Sequence, residues 1–328
     1  MNEFEMIARY FTRPTRERAG VGDDCALIDA GDVTLAITTD MLLAGRHFFA
    51  DADAEALGHK SLAVNLSDLA AAGATPRCFF LALALPRADE AWLAAYTRGL
   101  FALADAHGCE LLGGDTTRTP ELRVDDRVVD GPLTISIAAI GEVPRAAVRT
   151  RAGARAGDDL WVSGSVGDAA LALAHRAGEA AEMDPADLAA CRARLDRPVP
   201  RVELGVRLRG LATAAIDISD GLLGDLAHIL ERSRLGARVE WAAVPRSAAL
   251  RRQPEALQRR CALAGGDDYE LLFTAPPSAR AQVLAAAAAA GVAATRIGTM
   301  TADRGLEVLD ADGGLMDTTY RGYDHFAR

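Results

Sequence analysis

The pattern of apolar and polar positions predicts that strands and helices alternate along the chain. Residues 33–39 alternate and are rich in β-branched side chains, which predicts a strand with Asp40 at its carboxyl end. Residues 53–72 follow a helical period that Gly73 closes, and the apolar residues 79–85 predict a buried strand. The first part of the chain is therefore expected to fold as strand, helix and strand.

The next segments repeat this order. The pattern predicts a helix over residues 89–107 and a strand over 109–112, which runs into a turn at Gly113-Gly114-Asp115. Residues 118–132 are polar and charged, and they predict an irregular or hairpin insertion before a strand at 133–140. The acidic turn thus follows a strand, helix and strand unit.

A chain of 328 residues is longer than one core usually serves, so two domains are expected. The boundary is placed close after Pro144, which gives domains 1–145 and 146–328. The predicted elements of the second half are strands at 160–163 and 214–218 and helices at 222–232 and around the alanine tract 285–290. Alternation in both halves predicts a layered α/β fold.

Aspartate recurs in short clusters at the predicted strand ends and in glycine-rich turns. The clusters are Gly22-Asp23-Asp24, Thr38-Thr39-Asp40, Asn65-Leu66-Ser67-Asp68, Gly113-Gly114-Asp115-Thr116-Thr117, Gly157-Asp158-Asp159, Asp217-Ile218-Ser219-Asp220-Gly221 and Gly265-Gly266-Asp267-Asp268-Tyr269. Carboxylates repel one another, so several that converge need a cation between them, and hard oxygen ligands suit Mg²⁺. Magnesium held by aspartates usually serves phosphate chemistry.

Each cluster alone also has a structural interpretation, because aspartate beside glycine commonly caps a helix or closes a turn. Asp158 and Asp159 are assigned to such a turn, and a structural role is kept open for Asp23. Convergence on a metal is favoured by the joint placement of Asp40, Asp68, Asp115 and Asp220.

Two further groups of polar residues could supply ligands. Ser61, Asn65 and Asp68 share one stripe of the helix predicted over 53–72, with a solvated helix face as the alternative. The two threonines before Asp40 offer hydroxyls and a backbone carbonyl beside a carboxylate, with the ordinary β-propensity of threonine as the alternative.

Composition and charge exclude several classes of function. The formal net charge is −10 and Lys60 is the only lysine, which disfavours a nucleic-acid partner. A Walker A loop cannot be written around Lys60, so a kinase of this sequence would neutralise phosphate with metal ions and arginines. Arg149 and Arg151 are candidates, with a solvated linker as the alternative.

The cysteines and the apolar stretches bear on the compartment. The 5 cysteines are scattered and never spaced as C-x-x-C, which argues against a disulfide framework or a structural zinc site and favours a reducing cytoplasm. The strongest apolar stretch, at 79–85, is too short to cross a bilayer, and the N-terminus lacks the features of a signal peptide. Neither export nor membrane insertion is expected.

Several long strings in one order resemble a known family. The most specific are Gly22-Asp23-Asp24-Cys25-Ala26, Ala63-Val64-Asn65-Leu66-Ser67-Asp68-Leu69-Ala70, Gly113-Gly114-Asp115-Thr116-Thr117 and Ile216-Asp217-Ile218-Ser219-Asp220-Gly221-Leu222. The chain resembles the thiamine-monophosphate kinases, within the superfamily of aminoimidazole ribonucleotide synthetase-like, ATP-dependent enzymes. The resemblance covers the chain from Phe4 to Phe326.

The resemblance implies a Mg²⁺-dependent transfer of the γ-phosphoryl group of ATP to thiamine monophosphate, direct and in line. It implies two α/β domains, a homodimer formed through the N-terminal domains, and nucleotide bound near that interface. The implied catalytic carboxylates are Asp40, Asp68 and Asp115. The implied ligands of several Mg²⁺ ions are Asp24, Thr38, Thr39, Asp40, Asp68, Asp115, Asp217 and Asp220. The implied ATP contacts are Gly114, Asp115, Arg151 and Ser219, and the implied substrate contacts are His47, Asp267 and Tyr323.

Two features depart from the family pattern. Asp267 stands where the family usually has glutamate, and residues 120–131 are an insertion that we expect to form a surface excursion. A purine-pathway synthetase of the same superfamily is the alternative enzyme. A catalytically inactive nucleotide-binding protein is the alternative from another class, although every expected aspartate is present.

Overall fold

The computed structural model describes residues 3–17, 19–125 and 127–316. Its helices are α1 (Glu3–Met6), α2 (Ala54–Ala71), α3 (Glu90–Ala106), α4 (Asp168–Arg176), α5 (Pro185–Asp196), α6 (Val202–Arg207), α7 (Leu222–Ser233), α8 (Ala248–Arg251), α9 (Glu255–Ala264) and α10 (Arg280–Ala289). Its strands are β1 (Ala26–Ala30), β2 (Val33–Leu43), β3 (Thr75–Leu85), β4 (Glu110–Arg118), β5 (Leu122–Val124), β6 (Arg127–Val129), β7 (Thr134–Pro144), β8 (Asp159–Ser163), β9 (Ala214–Asp217), β10 (Gly236–Glu240), β11 (Leu271–Ala275), β12 (Ala294–Thr301) and β13 (Gly305–Leu309). Short turns of other helical types lie at Ile7–Phe11, Arg145–Ala147, Trp241–Ala243 and Pro277–Ala279.

The strands of the first half form a sheet in the order β1-β2-β7-β3-β4. Strands β3 and β4 are parallel, and the other neighbours are antiparallel. Parallel neighbours need a crossover connection, and α3 supplies it, as the predicted strand, helix and strand unit requires. Helix α2 packs on β2, β3 and β7, and α3 packs against α2.

The strands of the second half form a sheet in the order β13-β10-β12-β8-β11-β9. Only the pair β10 and β13 is parallel. The layered α/β class is therefore confirmed, with mainly antiparallel sheets in both halves. The domain boundary at residues 145–146 stays a prediction; the two sheets span residues 26–144 and 159–309 on either side of it.

Helix α2 lies between the two sheets. Besides β2, β3 and β7 it contacts β9 and β11 of the second sheet. Its buried polar residues are Lys60, Ser61, Asn65 and Ser67. The hydroxyl of Ser61 bonds to the carbonyl oxygen of Gly58 and to the hydroxyl of Tyr96. A solvated face for this stripe is therefore wrong, because both sides of the helix are covered.

Two strands that carry predicted site residues extend beyond their predicted ends. Strand β2 runs to Leu43, so Asp40 lies inside the strand and not at its carboxyl end. Strand β4 runs through Gly113-Gly114-Asp115 to Arg118 and does not end in a turn. The backbone stays extended because β2 pairs with β7, and β4 with β3, along these residues. The insertion at 118–132 contains the hairpin of β5 and β6.

One face of the first sheet is exposed and apolar. Residues of β2 alternate between its two faces, so the buried Thr38 and the exposed Thr39 point to opposite sides. Met41 lies on the same face as Thr39 and is 60% exposed, and Phe80 of β3 is 40% exposed. Every residue of β4 is exposed. We call this surface the open face.

Helices α2 and α3 touch through their backbones at two glycines. A Cβ at Gly58 would lie 1.9 Å from the carbonyl oxygen of Tyr96, and a Cβ at Gly99 would lie 1.8 Å from that of Glu55. Backbone atoms cannot move aside as the end of a side chain can. The two glycines therefore set the spacing of the helix pair that carries Asp68.

We expect Gly99→Ala to lower the free energy of unfolding by about 1–3 kcal/mol. The steric overlap outweighs the roughly 1 kcal/mol by which alanine favours a helix over glycine. Urea denaturation followed by circular dichroism measures the change. Ala102→Ser, on the exposed side of α3, is the control and should stay within about 0.5 kcal/mol of the parent. An unchanged or raised stability of Gly99→Ala would contradict the close crossing.

Candidate active site

A cavity of about 610 Å³ opens between the two halves of the protein. The predicted site residues that line it are Asp40, His47, Asp68, Asp217, Ser219, Asp220 and Asp267. These residues come from β2, the turn after it, α2, the end of β9 and two loops of the second half. The fold therefore brings together carboxylates that are more than 200 positions apart in the chain.

Three carboxylates beside this cavity form a cluster. One oxygen each from Asp24, Asp68 and Asp217 lies within 4.8 Å of the others. Asp24 belongs to the loop before β1, Asp68 to the last turn of α2, and Asp217 is the last residue of β9. A carboxylate in the last turn of a helix opposes the helix dipole, so Asp68 is placed against helix stability.

Hydroxyl groups and one guanidinium hold the cluster in place. Thr38 Oγ1 donates a short hydrogen bond to Asp68 Oδ2, and Ser67 Oγ donates to Asp217 Oδ2 at 2.7 Å. Arg151 donates to Asp24 Oδ1 from Nε at 3.1 Å and from its terminal nitrogen at 2.6 Å. The hydrogen bond from Ser67 to Asp217 joins the two halves, because Ser67 lies on α2 and Asp217 on β9.

Burial is the main cause of the altered pKa values in the cluster. Burial, together with the charge of Asp24, raises the pKa of Asp217 to about 8. Burial also raises the pKa of Asp40 to about 6, where the hydrogen bond with Asp68 lowers it and the charge of Asp220 raises it. The pKa of Asp68 is raised well above its usual range by burial and then by Asp40 and Asp217. Carboxylate and hydroxyl oxygens predominate in this cluster, so the donor set fits a divalent cation with hard oxygen ligands.

Asp225 is a site residue that the sequence patterns missed. Its Oδ2 accepts hydrogen bonds from the backbone nitrogens of Ser219, Asp220 and Gly221, at 3.1, 3.2 and 3.1 Å. The carboxylate is buried and sits in the first turn of α7. It fixes the loop that carries Ser219 and Asp220 at the cavity. An acidic residue in the first turn of a predicted helix was the signal that could have identified it.

The loop before β11 presents Asp267 to the cavity. Asp267 has φ 66° and Tyr269 has φ 50°, a left-handed backbone that non-glycine residues rarely adopt. Asp267 Oδ1 lies 2.9 Å from Lys60 Nζ and accepts from the hydroxyl of Tyr269 at 3.1 Å. The buried Glu270 accepts from Arg194 and Arg201 and anchors the end of the loop.

The imidazole of His47 also faces the cavity. Its Nδ1 accepts a hydrogen bond from the backbone nitrogen of Leu43 at 3.0 Å, which closes the turn after β2. The candidate Arg149 is different: it is buried and donates to the carbonyl oxygens of Ala70 and Gly205. Arg149 therefore ties α2 to α6, and neither a solvated linker nor a phosphate contact describes it.

Thr39, Gly114 and Asp115 are not brought to the cluster within this chain. The register pairs Met41 with Ser136, Ser136 with Ala82 and Ala82 with Asp115, so Asp115 shares the open face with Met41. Three strand spacings separate β2 from β4, a distance of roughly 14 Å. The side chains of Thr39 and Asp115 therefore point away from Asp68. Strand pairing and the alternation of side chains between the two faces decide this, and closeness to other site residues in the sequence does not. Tyr323 lies outside the described residues.

Comparisons with known proteins give the family. The models "AIR synthase related protein, N-terminal domain" and "AIR synthase related protein, C-terminal domain" match residues 22–143 and 155–311. The chain is 45% identical to the thiamine-monophosphate kinase of Escherichia coli (strain K12), over 99% of this chain and 98% of that protein. The chain belongs to the thiamine-monophosphate kinase family. The resemblance read from the sequence is thus confirmed.

Solved structures of thiamine-monophosphate kinases share this fold. The enzyme of Stenotrophomonas maltophilia K279a is 44% identical with a TM-score of 0.79, and the match covers 95% of this chain and 96% of that one. The structure of AaThiL complexed with AMPPCP and TMP is 28% identical with a TM-score of 0.81, covering 99% of this chain and 97% of that one. Among the residues that the structure describes, no helix is long and apolar enough to cross a membrane.

The raised pKa values predict how pH affects the metal-free protein. The pKa of Asp217 is about 8 in the folded protein, against an ordinary value of 3.8, so between these pH values the folded state binds more protons than the unfolded state. The contribution of Asp217 to the free energy of unfolding is fully present below about pH 3.8, and it is lost as the pH rises towards 8. Thermal unfolding in EDTA between pH 5 and pH 8.5 measures it. Mg²⁺ at roughly 100 times its Kd should restore about 2.7 kcal/mol.

Asp217→Asn is the matched variant for this measurement. The amide keeps an acceptor for Ser67 but carries no charge, so the metal-free variant should gain stability over the parent most strongly near pH 8. It should also lose most of the stabilisation by Mg²⁺. Parallel pH profiles for the parent and the variant would contradict the assigned pKa of Asp217.

Proposed function

We propose that the protein transfers the γ-phosphoryl group of ATP to thiamine monophosphate, giving thiamine diphosphate and ADP. The observation that carries the proposal is the convergence of Asp24, Asp68 and Asp217 from three separate elements in one cluster beside the cavity, in a chain of this family. Transfer between two polyanions depends on charge neutralisation and positioning more than on a strong base. A cluster of carboxylates with few cations beside it suits a reaction in which the nucleotide binds together with a metal ion, because that ion neutralises the carboxylates.

The Mg²⁺ ligands would come from residues of the cavity and its margin. The proposed set is Asp24, Thr38, Asp40, Asp68, Asp217 and Asp220, with Thr39 and Asp115 from the open face. When bound there, Mg²⁺ offsets the phosphate charge and aligns the two reactants. The chain's own part is to hold the carboxylates of Asp24, Asp68 and Asp217 in fixed positions through Arg151, Thr38 and Ser67. Asp40, Asp68 and Asp115 are the proposed catalytic carboxylates.

Other residues would bind and orient the two substrates. For ATP we assign Gly114, Asp115, Arg151 and Ser219, whose backbone is fixed by Asp225. For thiamine monophosphate we assign His47, Asp267 and Tyr323. The thiazolium ring of this substrate is cationic, so a carboxylate at Asp267 is chemically suited to it. The attacking group is a phosphate oxygen that is already ionised, so no general base is required.

We further propose a homodimer that buries the open face. A sheet with one face packed on helices usually has polar residues on its other face, yet Ile28, Met41 and Phe80 are exposed here. Strand β4 also exposes its edge, with Leu111 and Leu112 exposed. A second copy of the chain would cover both, because a two-fold interface is self-complementary.

The dimer gives Asp115 a place in the active site. Within one chain the side chain of Asp115 is roughly 14 Å from β2, and it lies on the face of the sheet opposite to the one that helix α2 and Asp68 cover. A metal ligand must lie within a few ångströms of its partners. We therefore assign Asp115 and Gly114 to the site of the partner subunit, where the interface meets the cavity.

A reducing compartment, the cytoplasm, is proposed for this enzyme. All of its cysteines, Cys25, Cys78, Cys109, Cys191 and Cys261, are free thiols in the structure. Free thiols are kept reduced in the cytoplasm, whereas exported proteins commonly use theirs in disulfides.

Asp40→Asn should lower kcat by about 100-fold or more while leaving the fold intact, because it removes one charge beside the transferred phosphoryl group. The measurement is chromatographic detection of thiamine diphosphate from purified protein, ATP, Mg²⁺ and thiamine monophosphate, with free thiamine as the negative substrate. Asp32→Asn, in the exposed turn between β1 and β2, is the control and should retain normal turnover. Near-normal turnover of Asp40→Asn would refute its role. Absence of product from the parent protein would refute the proposed reaction.

Mixed dimers test whether Asp115 acts across the interface. Homodimers of Asp40→Asn and of Asp115→Asn should both be nearly inactive. Co-expression with two affinity tags yields a heterodimer in which one site keeps both residues, if Asp115 comes from the partner. That heterodimer should recover about half of the parent turnover per dimer, because one of its two sites is complete. An inactive heterodimer would place both residues in the same chain's site.

A further inference from the structure

Helix α7 contacts the site at both of its ends. Its first turn carries Asp225, which fixes the backbone of the loop after β9. Its last two residues, Arg232 and Ser233, contact the loop before β1 and the backbone of Arg151. A helix of 12 residues is about 18 Å long, so α7 joins two parts of the site that are well separated.

The guanidinium of Arg232 lies against the backbone of the loop that carries Asp24. Its Nε donates to the carbonyl oxygen of Gly22 at 3.0 Å, and a terminal nitrogen donates to that of Val21 at 2.9 Å. Gly22 has φ 98°, and a Cβ there would lie 2.1 Å from the terminal nitrogen of Arg232. Only glycine leaves the room that the guanidinium uses. Asp24 follows Gly22 within about 7 Å of chain, so Arg232 fixes the backbone directly before a member of the carboxylate cluster.

The neighbouring Ser233 holds the residue that pairs with Asp24. Ser233 Oγ donates to the carbonyl oxygen of Arg151 at 3.3 Å. The backbone nitrogen of Arg151 donates to Asp23 Oδ1 at 3.2 Å, and the guanidinium of Arg151 donates to Asp24 Oδ1. Two consecutive residues of α7 therefore hold both the acidic loop and the arginine that offsets its charge.

The loop before β1 needs this support because its charge opposes its position. A carboxylate oxygen of Asp24 lies within 4.8 Å of those of Asp68 and Asp217, and like charges this close repel one another. Asp24 is also buried, so little water screens the repulsion. Residues 20–25 lie outside the strands, and no strand pairing holds them in place. The hydrogen bonds from Arg232 act against the outward movement that the repulsion favours.

We infer that Arg232 is a positioning residue for Asp24, and that α7 is a spacer which holds the proposed metal ligands Asp24 and Asp220 at a fixed separation. Arg232 is not among the described residues that line the cavity, so it acts through the loop and not by contact with a substrate. The inference rests on the proposed function for its effect on catalysis. Its effect on the binding of a divalent cation needs no turnover.

Binding of Mn²⁺ to the nucleotide-free protein tests the inference without catalysis. Mn²⁺ accepts the same hard oxygen ligands as Mg²⁺, and the electron paramagnetic resonance signal of the free ion is lost on binding, so a titration yields Kd. Arg232→Ala should raise Kd by about tenfold, as loss of a group that orients a metal ligand commonly does. Arg232→Lys keeps a donor for the two carbonyl oxygens and should restore part of the affinity. Asp217→Asn identifies the site, because it should remove most of the binding.

Arg207→Ala is the matched control for this titration. Arg207 is exposed in the last turn of α6, as Arg232 is in the last turn of α7, and it donates to Glu203 of its own helix. The control removes the same charge and should keep Kd within about twofold of the parent value. Equal effects of Arg207→Ala and Arg232→Ala, an unchanged Kd in Arg232→Ala, or no binding of Mn²⁺ by the parent would each overturn the inference.

Gly22→Ala tests the contact from the other side. The new methyl group would displace the guanidinium of Arg232, so this variant should also weaken Mn²⁺ binding. Added to Arg232→Ala, the same change should weaken binding less, because the guanidinium is already absent. Equal losses in the two backgrounds would overturn the proposed coupling between Arg232 and the loop.

Kinetics separate the positioning role from a merely structural one. Arg232→Ala should raise the free Mg²⁺ concentration for half-maximal turnover by about tenfold, whereas kcat at saturating Mg²⁺ should fall by a smaller factor. A lower kcat with an unchanged Mg²⁺ requirement would overturn the inference. If the parent forms no thiamine diphosphate, the proposed function fails, and the Mn²⁺ titrations then decide the role of Arg232 by themselves.

Discussion

The burial of helix α2 between the two sheets is the constraint on which the site depends. The helix has no solvent-facing side, so each of its polar residues must find a partner inside the protein. Thr38 from the first sheet bonds to Asp68, and Ser67 bonds to Asp217 at the end of the second sheet. Polar pairing on α2 therefore aligns the two halves and brings their carboxylates to one point.

This arrangement concentrates negative charge where water is scarce. Burial raises the pKa of Asp217 and Asp68, and Arg151 is the cation that directly contacts the cluster among the described ion pairs. Such a cluster is unfavourable on its own and becomes favourable when a cation binds. A metal ion bound to this cluster would couple its binding to the docking of the two halves, because the carboxylates come from both. The same coupling favours a site that forms fully only with its charged substrates.

A second site element uses backbone strain. Asp267 and Tyr269 adopt left-handed φ values. Asp268, between them, and Glu270, after them, anchor the loop. Asp268 accepts a hydrogen bond from the backbone nitrogen of Gly167, and Glu270 is held by Arg194 and Arg201. Strained backbone persists only where its surroundings determine it, and it often marks a functional loop. Here the buried acids support the loop, and the alternate residues, Asp267 and Tyr269, line the cavity.

The sequence by itself determined the local elements, the family and the types of residue in the site. The helical period and the glycine after the first helix are short-range signals, and they predicted α2 and α3 nearly to their ends. In the structure Asp53 and Asp89 cap the two helices. Only the tertiary structure decided which aspartates meet. Asp24, Asp68 and Asp217 converge through contacts between distant segments, whereas Asp115 is turned away by the strand register. The partner of Lys60 was equally invisible, because side-chain proximity across 207 residues leaves no local pattern. Sequence patterns record what neighbours along the chain do, and the site depends on packing between elements that are far apart in it.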